Sequence, residues 1–237
     1  RDIQPPPSRV FDARISEILR IDANTAVFVA RNEFGTELWR TDGTAAGTRM
    51  VVDLEPGPGS STPRDLRTAR GYVFFTAQVS GLGRELWRSD GTAAGTVLLR
   101  DALPGSTSGG PRHMVSWNNR LWFDGTDQGG AGSELWVSDG TSVGTRLVAD
   151  IRPGAVGSRP SDLVVMGNRL YFTADDGAAG RELWRSDGTA AGTRLVADLA
   201  PGSSSPADLA VASGAPLLFF TAADPTAGRE LFVSDGT

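Results

Sequence analysis

The chain has 237 residues, with 30 Gly, 14 Pro, no Cys, 22% charged residues and a formal net charge of −5. That length suits one large all-β domain or two small ones, and the mild acidity leaves no electrostatic footprint for nucleic acid or an anionic membrane. The lack of Cys excludes disulfides, thiolate zinc sites and cysteine nucleophiles, and no apolar run reaches the ~18 residues of a membrane-spanning helix.

From the N-terminus, residues 1–7 hold no secretory apolar core, and the segment is compatible with a chain whose signal peptide has been removed. Residues 8–13, SRVFDA, resemble TRLVAD at 193–198. ELWRTDGTAAGT at 37–48 then returns as ELWRSDGTAAGT at 85–96, ELWVSDGTSVGT at 134–145 and ELWRSDGTAAGT at 182–193, and ELFVSDGT stands at 230–237. Glu37, Glu85, Glu134, Glu182 and Glu230 thus recur every 48 or 49 residues. A period of that size indicates a propeller, a solenoid or an array.

The fourth unit shows the internal plan. Apolar 162–166 precedes the tight turn Gly167-Asn168, and aromatic, β-branched 169–174 follows. A Gly-rich loop at 175–180 leads to 181–185, and a second turn segment leads to 193–197. Four strands separated by turn chemistry read as an antiparallel meander, the size of one propeller blade. The expectation is an all-β, five-bladed β-propeller of four-stranded antiparallel blades in one domain over 1–237. Its repeats fall near 16–53, 64–101, 112–150, 161–198 and 207–237, and 8–14 supplies the outer strand that completes the last blade and closes the ring. Entry of that strand into a neighbouring molecule is the alternative.

The tandem E-L-W-x-S/T-D-G-T-x-x-G-T units resemble the ELWxxDGT repeat family of bacterial surface and secreted proteins, over essentially the whole chain. Phe232 in place of the Trp, and Val137 and Val233 in place of the following Arg, are the departures. The resemblance implies an extracellular or cell-surface bacterial repeat protein, with no activity to carry over to named residues. The architecture is also similar to five-bladed lectins of the tachylectin type, whose motifs are absent here.

The Asp-Gly-Thr turns are read as self-capped turns in which Gly takes positive φ and Thr starts the outer strand, and the Trp residues as packing between blades. The candidate ligand-binding residues are Glu17, Asp65, His113, Asp162 and Asp208, which stand at equivalent starts of the first strand in each unit. Gathered near a channel mouth, their carboxylates suit Ca²⁺ or a polar ligand. The opposing reading has each side chain cap the backbone of the preceding Pro turn. Asp175, Asp176, Asp124 and Asp127 are further Ca²⁺ candidates in variable loops. No other cofactor is expected.

Catalysis is not expected: His113 is the only His, and no H-E-x-x-H or G-x-S-x-G motif is present. The sequence therefore points to a non-enzymatic extracellular binding module for adhesion, matrix or carbohydrate recognition through loops on one face. The partner is a glycan or another surface protein, with no nucleic acid and no membrane insertion, and a monomer is expected. A structural module assembled by strand exchange is the alternative, and a glycan-processing enzyme a distant third.

Overall fold

The computed structural model describes residues 15–237, so the closing strand expected at 8–14 lies outside the described residues. Nineteen strands and no helix make up those residues. The first sheet runs β1 (Ile18–Arg20), β2 (Ala26–Asn32), β3 (Gly35–Thr41) and β4 (Arg49–Val52), and the second β5 (Arg64–Ala69), β6 (Tyr72–Val79), β7 (Gly83–Ser89) and β8 (Val97–Arg100). The third runs β9 (Arg112–Trp117), β10 (Arg120–Gly125), β11 (Glu134–Ser138) and β12 (Arg146–Ala149). The fourth is β13 (Ser161–Met166), β14 (Arg169–Asp175), β15 (Arg181–Ser186) and β16 (Arg194–Ala197). The fifth has three strands, β17 (Ala207–Val211), β18 (Leu218–Asp224) and β19 (Gly228–Ser234). Each sheet is a sequential meander, so the sheet contacts are local in the chain.

The chain divides into two compact units. One holds the first two sheets with Asn118–Leu121 and Ser138–Thr145, and the other holds Arg112–Trp117, Trp122–Val137 and Arg146–Thr237. In the first unit Val27, Val29, Leu38 and Val51 pack against Leu66, Val73, Phe75 and Ala77 of the next sheet. In the second, Trp122, Leu135 and Val137 meet Leu170, Phe172 and Trp184, while Met166, Tyr171 and Leu183 meet Leu218, Phe220 and Ala222. The middle strands read as near-continuous apolar runs because both of their faces are covered. Trp39 and Trp136 are buried in this packing, and Trp87 packs partly buried against the first unit's core.

The Glu of each ELW motif holds the fold in a way its strand position conceals. Glu37, Glu85, Glu134 and Glu182 are fully buried. Glu134 accepts bonds from Ser158 N (2.7 Å) and Ser158 Oγ (2.5 Å), and also from Ile151 N (3.1 Å) and Arg152 N (3.0 Å). Glu37 does the same with Ser61 and Leu54, and Glu182 with Ser204 and Leu199. Glu85 has only main-chain donors, Gly109 N (2.8 Å) and Ala102 N (3.1 Å). Each carboxylate thus ties the third strand of a sheet to the connection that leaves it for the next. Burial pushes the Glu37, Glu85 and Glu134 carboxyls above the ordinary value of 4.5, against the opposing pull of these donors.

The Asp-Gly-Thr turns form a second repeated device. Asp42 Oδ1 accepts from Thr44 N (2.9 Å) and Thr44 Oγ1 (2.7 Å), Thr44 Oγ1 accepts from Gly47 N (2.9 Å), and Thr48 Oγ1 donates to Thr44 O (2.6 Å). A Cβ at Gly47 would lie 1.9 Å from Asp42 Oδ1, which explains the second Gly of the motif. The same bonds recur at Asp90, Asp139 and Asp187. The Thr of Asp-Gly-Thr closes this loop; the outer strand begins only after the second Thr, at Arg49 in the first sheet.

These turns also dock on the preceding sheet. Arg40 Nη1 donates to Gly91 O (3.4 Å), and Tyr171 Oη (3.2 Å) and Arg185 Nη1 donate to Gly236 O. Arg88 lies 4.1 Å over the Tyr72 ring, against which Gly140 packs. In the third sheet Val137 replaces the Arg, and Gly188 instead lies against Trp122, whose ring is 5.1 Å from Trp117. The Arg after the Trp is therefore a docking residue for the next repeat's turn.

Two predictions follow from these contacts. Glu134→Ala leaves several buried donors without an acceptor and should cost roughly 3 kcal/mol in urea unfolding, whereas Glu230→Ala, at an exposed position, should stay within about 0.5 kcal/mol. The Thr189 hydroxyl and amide hold Asp187 below its ordinary 3.8. Because the folded value is the lower one, its stabilisation is present above pH 3.8 and is lost as pH falls through the folded value. The stability gap between the wild type and Asp187→Asn should accordingly narrow as unfolding is measured at successively lower pH through that window.

Candidate functional site

The first strand of four repeats starts with an irregularity. In β5 the pairing with β6 breaks between Arg64 and Arg67, in β13 with β14 between Ser161 and Val164, and in β17 with β18 between Ala207 and Ala210. The residue at each break is left-handed: Asp65 (φ 59°), Asp162 (φ 54°) and Asp208 (φ 58°), with His113 (φ 52°) at the same place in β9. Asp and His are among the few residues that tolerate this region. All four are exposed.

The structure brings the predicted residues together in two groups. In the first unit β1 lies beside β5, and Glu17 reaches the Asp65 break. Its Oε1 accepts from Asp65 N (2.9 Å) and its Oε2 from Leu66 N (2.9 Å), so two successive amides freed by the bulge hold one carboxylate. In the second unit β13 lies beside both β9 and β17, which sets the strand starts of His113, Asp162 and Asp208 next to one another.

Asp162 and Asp208 are tied to neighbouring hydroxyls rather than to the Pro turn before them. Asp162 Oδ2 accepts from Ser161 Oγ (2.9 Å), whose oxygen lies 2.8 Å from Thr173 Oγ1, and Arg181 Nη1 donates to both hydroxyls (3.2 and 2.9 Å). Asp208 Oδ2 accepts from Thr221 Oγ1 (3.2 Å), to which Arg229 donates (2.9 Å). Arg84 donates to Thr76 Oγ1 (3.1 Å) and, through Nη2, to Thr62 Oγ1 (2.7 Å). The same three guanidiniums bond the carbonyls of Thr62, Arg159 and Ser205, left-handed residues just before a Pro. Burial lowers the Arg84 and Arg181 pKa values from the ordinary guanidinium range. The sequence reading missed these Arg residues, although Arg84, Arg181 and Arg229 all immediately precede an E-L motif.

The third repeat is built differently. Asp124 replaces the Thr, Ser133 replaces the Arg and His113 replaces the Asp. Asp124 is only 8% exposed and accepts a short hydrogen bond from Ser133 Oγ. Burial raises its pKa, opposed by the Ser133 bond and by the charges of His113, Arg112 and Arg181.

The loop candidates for Ca²⁺ are engaged with the protein itself. Asp175 pairs with Arg152 (2.7 Å) and caps Gly177 N, Asp176 caps Ala178 N and Ala179 N, and Asp127 accepts from Gly129 N (2.8 Å). Among the described residues no group of three or more His, Asp or Glu side chains is placed to hold a metal ion.

No protein-family model matches the chain, and no curated protein matches it. Among solved structures it is similar to a prolyl endopeptidase, with a TM-score of 0.55 and 13% identity over 90% of this chain and 32% of that one. It is also similar to oligopeptidase B from Leishmania major, with a TM-score of 0.56 and 12% identity over 94% of this chain and 31% of that one. The chain spans about a third of the length of these structures, and at such identities the likeness shows the fold alone.

If the left-handed acids serve first to shape the strand start, Asp162→Asn should unfold within about 0.5 kcal/mol of the wild type. Asp162→Val, β-branched in that region, should lose about 1–2 kcal/mol in the same denaturant titration.

Proposed function

We propose that the chain is a five-bladed β-propeller, its ring closed by a strand from 8–14, that acts without chemistry of its own as an extracellular binding module. The observation that carries this reading is the set of exposed polar residues Asp65, His113, Asp162 and Asp208 at one register of the repeat, each on a backbone held by an internal bond network. Polar groups held rigid and left facing solvent are suited to recognition. Ser133 supports a non-enzymatic role as well, because its hydroxyl donates to Asp124 and so is not activated by His113. The resemblance of the repeats to bacterial surface proteins supports an extracellular setting and a glycan or surface-protein partner.

A second reading, assembly through strand exchange, is favoured by the edge of the fifth sheet. Leu231 is 71% exposed and Val233 58%, whereas Leu38, Leu135 and Leu183 at the place of Leu231 are buried. An open apolar strand edge invites another strand.

The deciding experiment is a glycan array run with Ca²⁺ and again with EDTA. Binding lost in EDTA is expected if the acidic strand starts or loops take Ca²⁺ as part of the site, and binding in both arms if they act directly. A negative in both arms would overturn the lectin reading and favour assembly, read as a change in oligomeric state by gel filtration when 1–14 are removed.

A further inference from the structure

Three positions define the network at the strand start; the first repeat has Glu17, Val29 and Thr36 there, and only the third puts an acid at the second position and a His at the first. The second, fourth and fifth repeats have Asp65, Thr76 and Arg84; Asp162, Thr173 and Arg181; and Asp208, Thr221 and Arg229. The third has His113, Asp124 and Ser133. Anion and cation have exchanged places: the negative charge is now inside, on Asp124, and the group that can carry a positive charge is outside, on His113. Gly110 accompanies the change, standing where the other repeats place a left-handed Thr62, Arg159 or Ser205 whose carbonyl needs the Arg.

We propose that this inverted repeat is a binding site for a carboxylate group, taken by His113 with Arg112 beside it. The repeat itself supplies the precedent. At the equivalent strand start of the second repeat, the left-handed break already seats a carboxylate, that of Glu17, on the amides of Asp65 and Leu66. The third repeat has the same left-handed residue, and its side chain can carry a positive charge where Asp65 carries a negative one. Buried Asp124, held by Ser133, provides a fixed countercharge that interacts with His113 and Arg112. Arg181 adds positive charge from the adjoining sheet, and of the acids near Arg181, Asp175 is already paired with Arg152. Asp162, which accepts a bond from Ser161, and Asp124 are the other acids near Arg181. With His113 protonated, His113, Arg112 and Arg181 outnumber Asp124 and Asp162, so the site is cationic, and Arg112 and His113 face solvent.

This inference deepens the binding reading by naming a ligand chemistry, and it rests on that reading only for its biological sense. The shared chemistry is a carboxylate, from an acidic sugar or from an acidic peptide. The test is a titration at mildly acidic pH followed by the backbone amide signals of Arg112 and His113 in ¹⁵N–¹H NMR. The probes are sodium acetate, glucuronate and N-acetylglutamate at constant ionic strength, with sodium chloride as the control. Saturable shifts with the carboxylates and none with chloride are expected, and His113→Gln should weaken the binding by about tenfold or more. Tighter binding of glucuronate would assign an acidic glycan and tighter binding of N-acetylglutamate an acidic peptide, while equal binding of all three would support the carboxylate alone.

A second variant guards against misfolding. The triple change His113→Asp, Asp124→Thr and Ser133→Arg restores the arrangement of the other repeats, so it should fold and should lose the saturable shifts. Equal shifts with chloride, unchanged affinity in His113→Gln, or binding retained by the folded triple variant would each overturn the proposal. A glycan array without a hit leaves this titration readable on its own. An array hit that survives His113→Gln would keep the binding reading and remove this site.

Discussion

The repeated buried carboxylate is the constraint on which the other features depend. A carboxylate placed in an apolar interior is tolerable only when its lone pairs are filled. Glu37, Glu134 and Glu182 meet that demand with a Ser hydroxyl and main-chain amides drawn from a segment 17 to 24 residues further on. The bond partners are thus the connection that must leave one sheet and enter the next. An irregular segment, rich in Pro, Gly and Ser, acquires a defined path because a charge would otherwise be stranded. Glu85 makes the point by variation: Gly109 supplies no hydroxyl, and a Cβ there would lie 2.5 Å from that of Ala102, so its clasp is made by amides alone.

Once the connection is set, the remaining devices can act locally. The Asp-Gly-Thr loop is rigid through its own bonds, so its Gly can be offered to the preceding sheet as a fixed docking point. The Arg that follows the Trp, or the Trp117–Trp122 pair where that Arg is Val137, receives it. The left-handed strand start is stabilised by a third network, in which Arg84, Arg181 or Arg229 bonds a strained carbonyl and a hydroxyl on the second strand together. Three sets of polar contacts, each confined to one repeat or its neighbour, explain why a 48-residue period tolerates so little change in its turns.

Much of this was legible in the residues. The strands of the fourth sheet fall within one residue of the reading from turn chemistry, and the Asp caps its own turn as expected. What could not be read was the reach of side chains across connections. Nothing near Glu134 in the sequence marks Ser158 as its partner, because the pairing is made by the fold, not by local spacing. The strand-start acids were read as a ligand site or as caps on the Pro turn, and Asp162 and Asp208 instead bond the hydroxyls of Ser161 and Thr221. The inversion in the third repeat was visible in principle, as three aligned columns, but its meaning needed the contact between Ser133 and Asp124.

Repeat proteins allow a kind of inference that a single-copy fold does not, because each unit is a control for the others. A feature present in every repeat is explained once, by packing, and carries little information about what the protein recognises. The five Asp-Gly-Thr turns belong there, and so nearly do the Glu residues, buried in four repeats. Information resides where one unit departs and the departure is physically coherent. A single replacement of Arg by Ser at position 133 would only remove support from a neighbouring carbonyl. Its company with Gly110, Asp124 and His113 keeps the bonding satisfied while reversing the sign of the exposed group. Electrostatic attraction at that one strand start is therefore obtained without loosening the scaffold, because the strain that required an Arg has been removed together with the Arg.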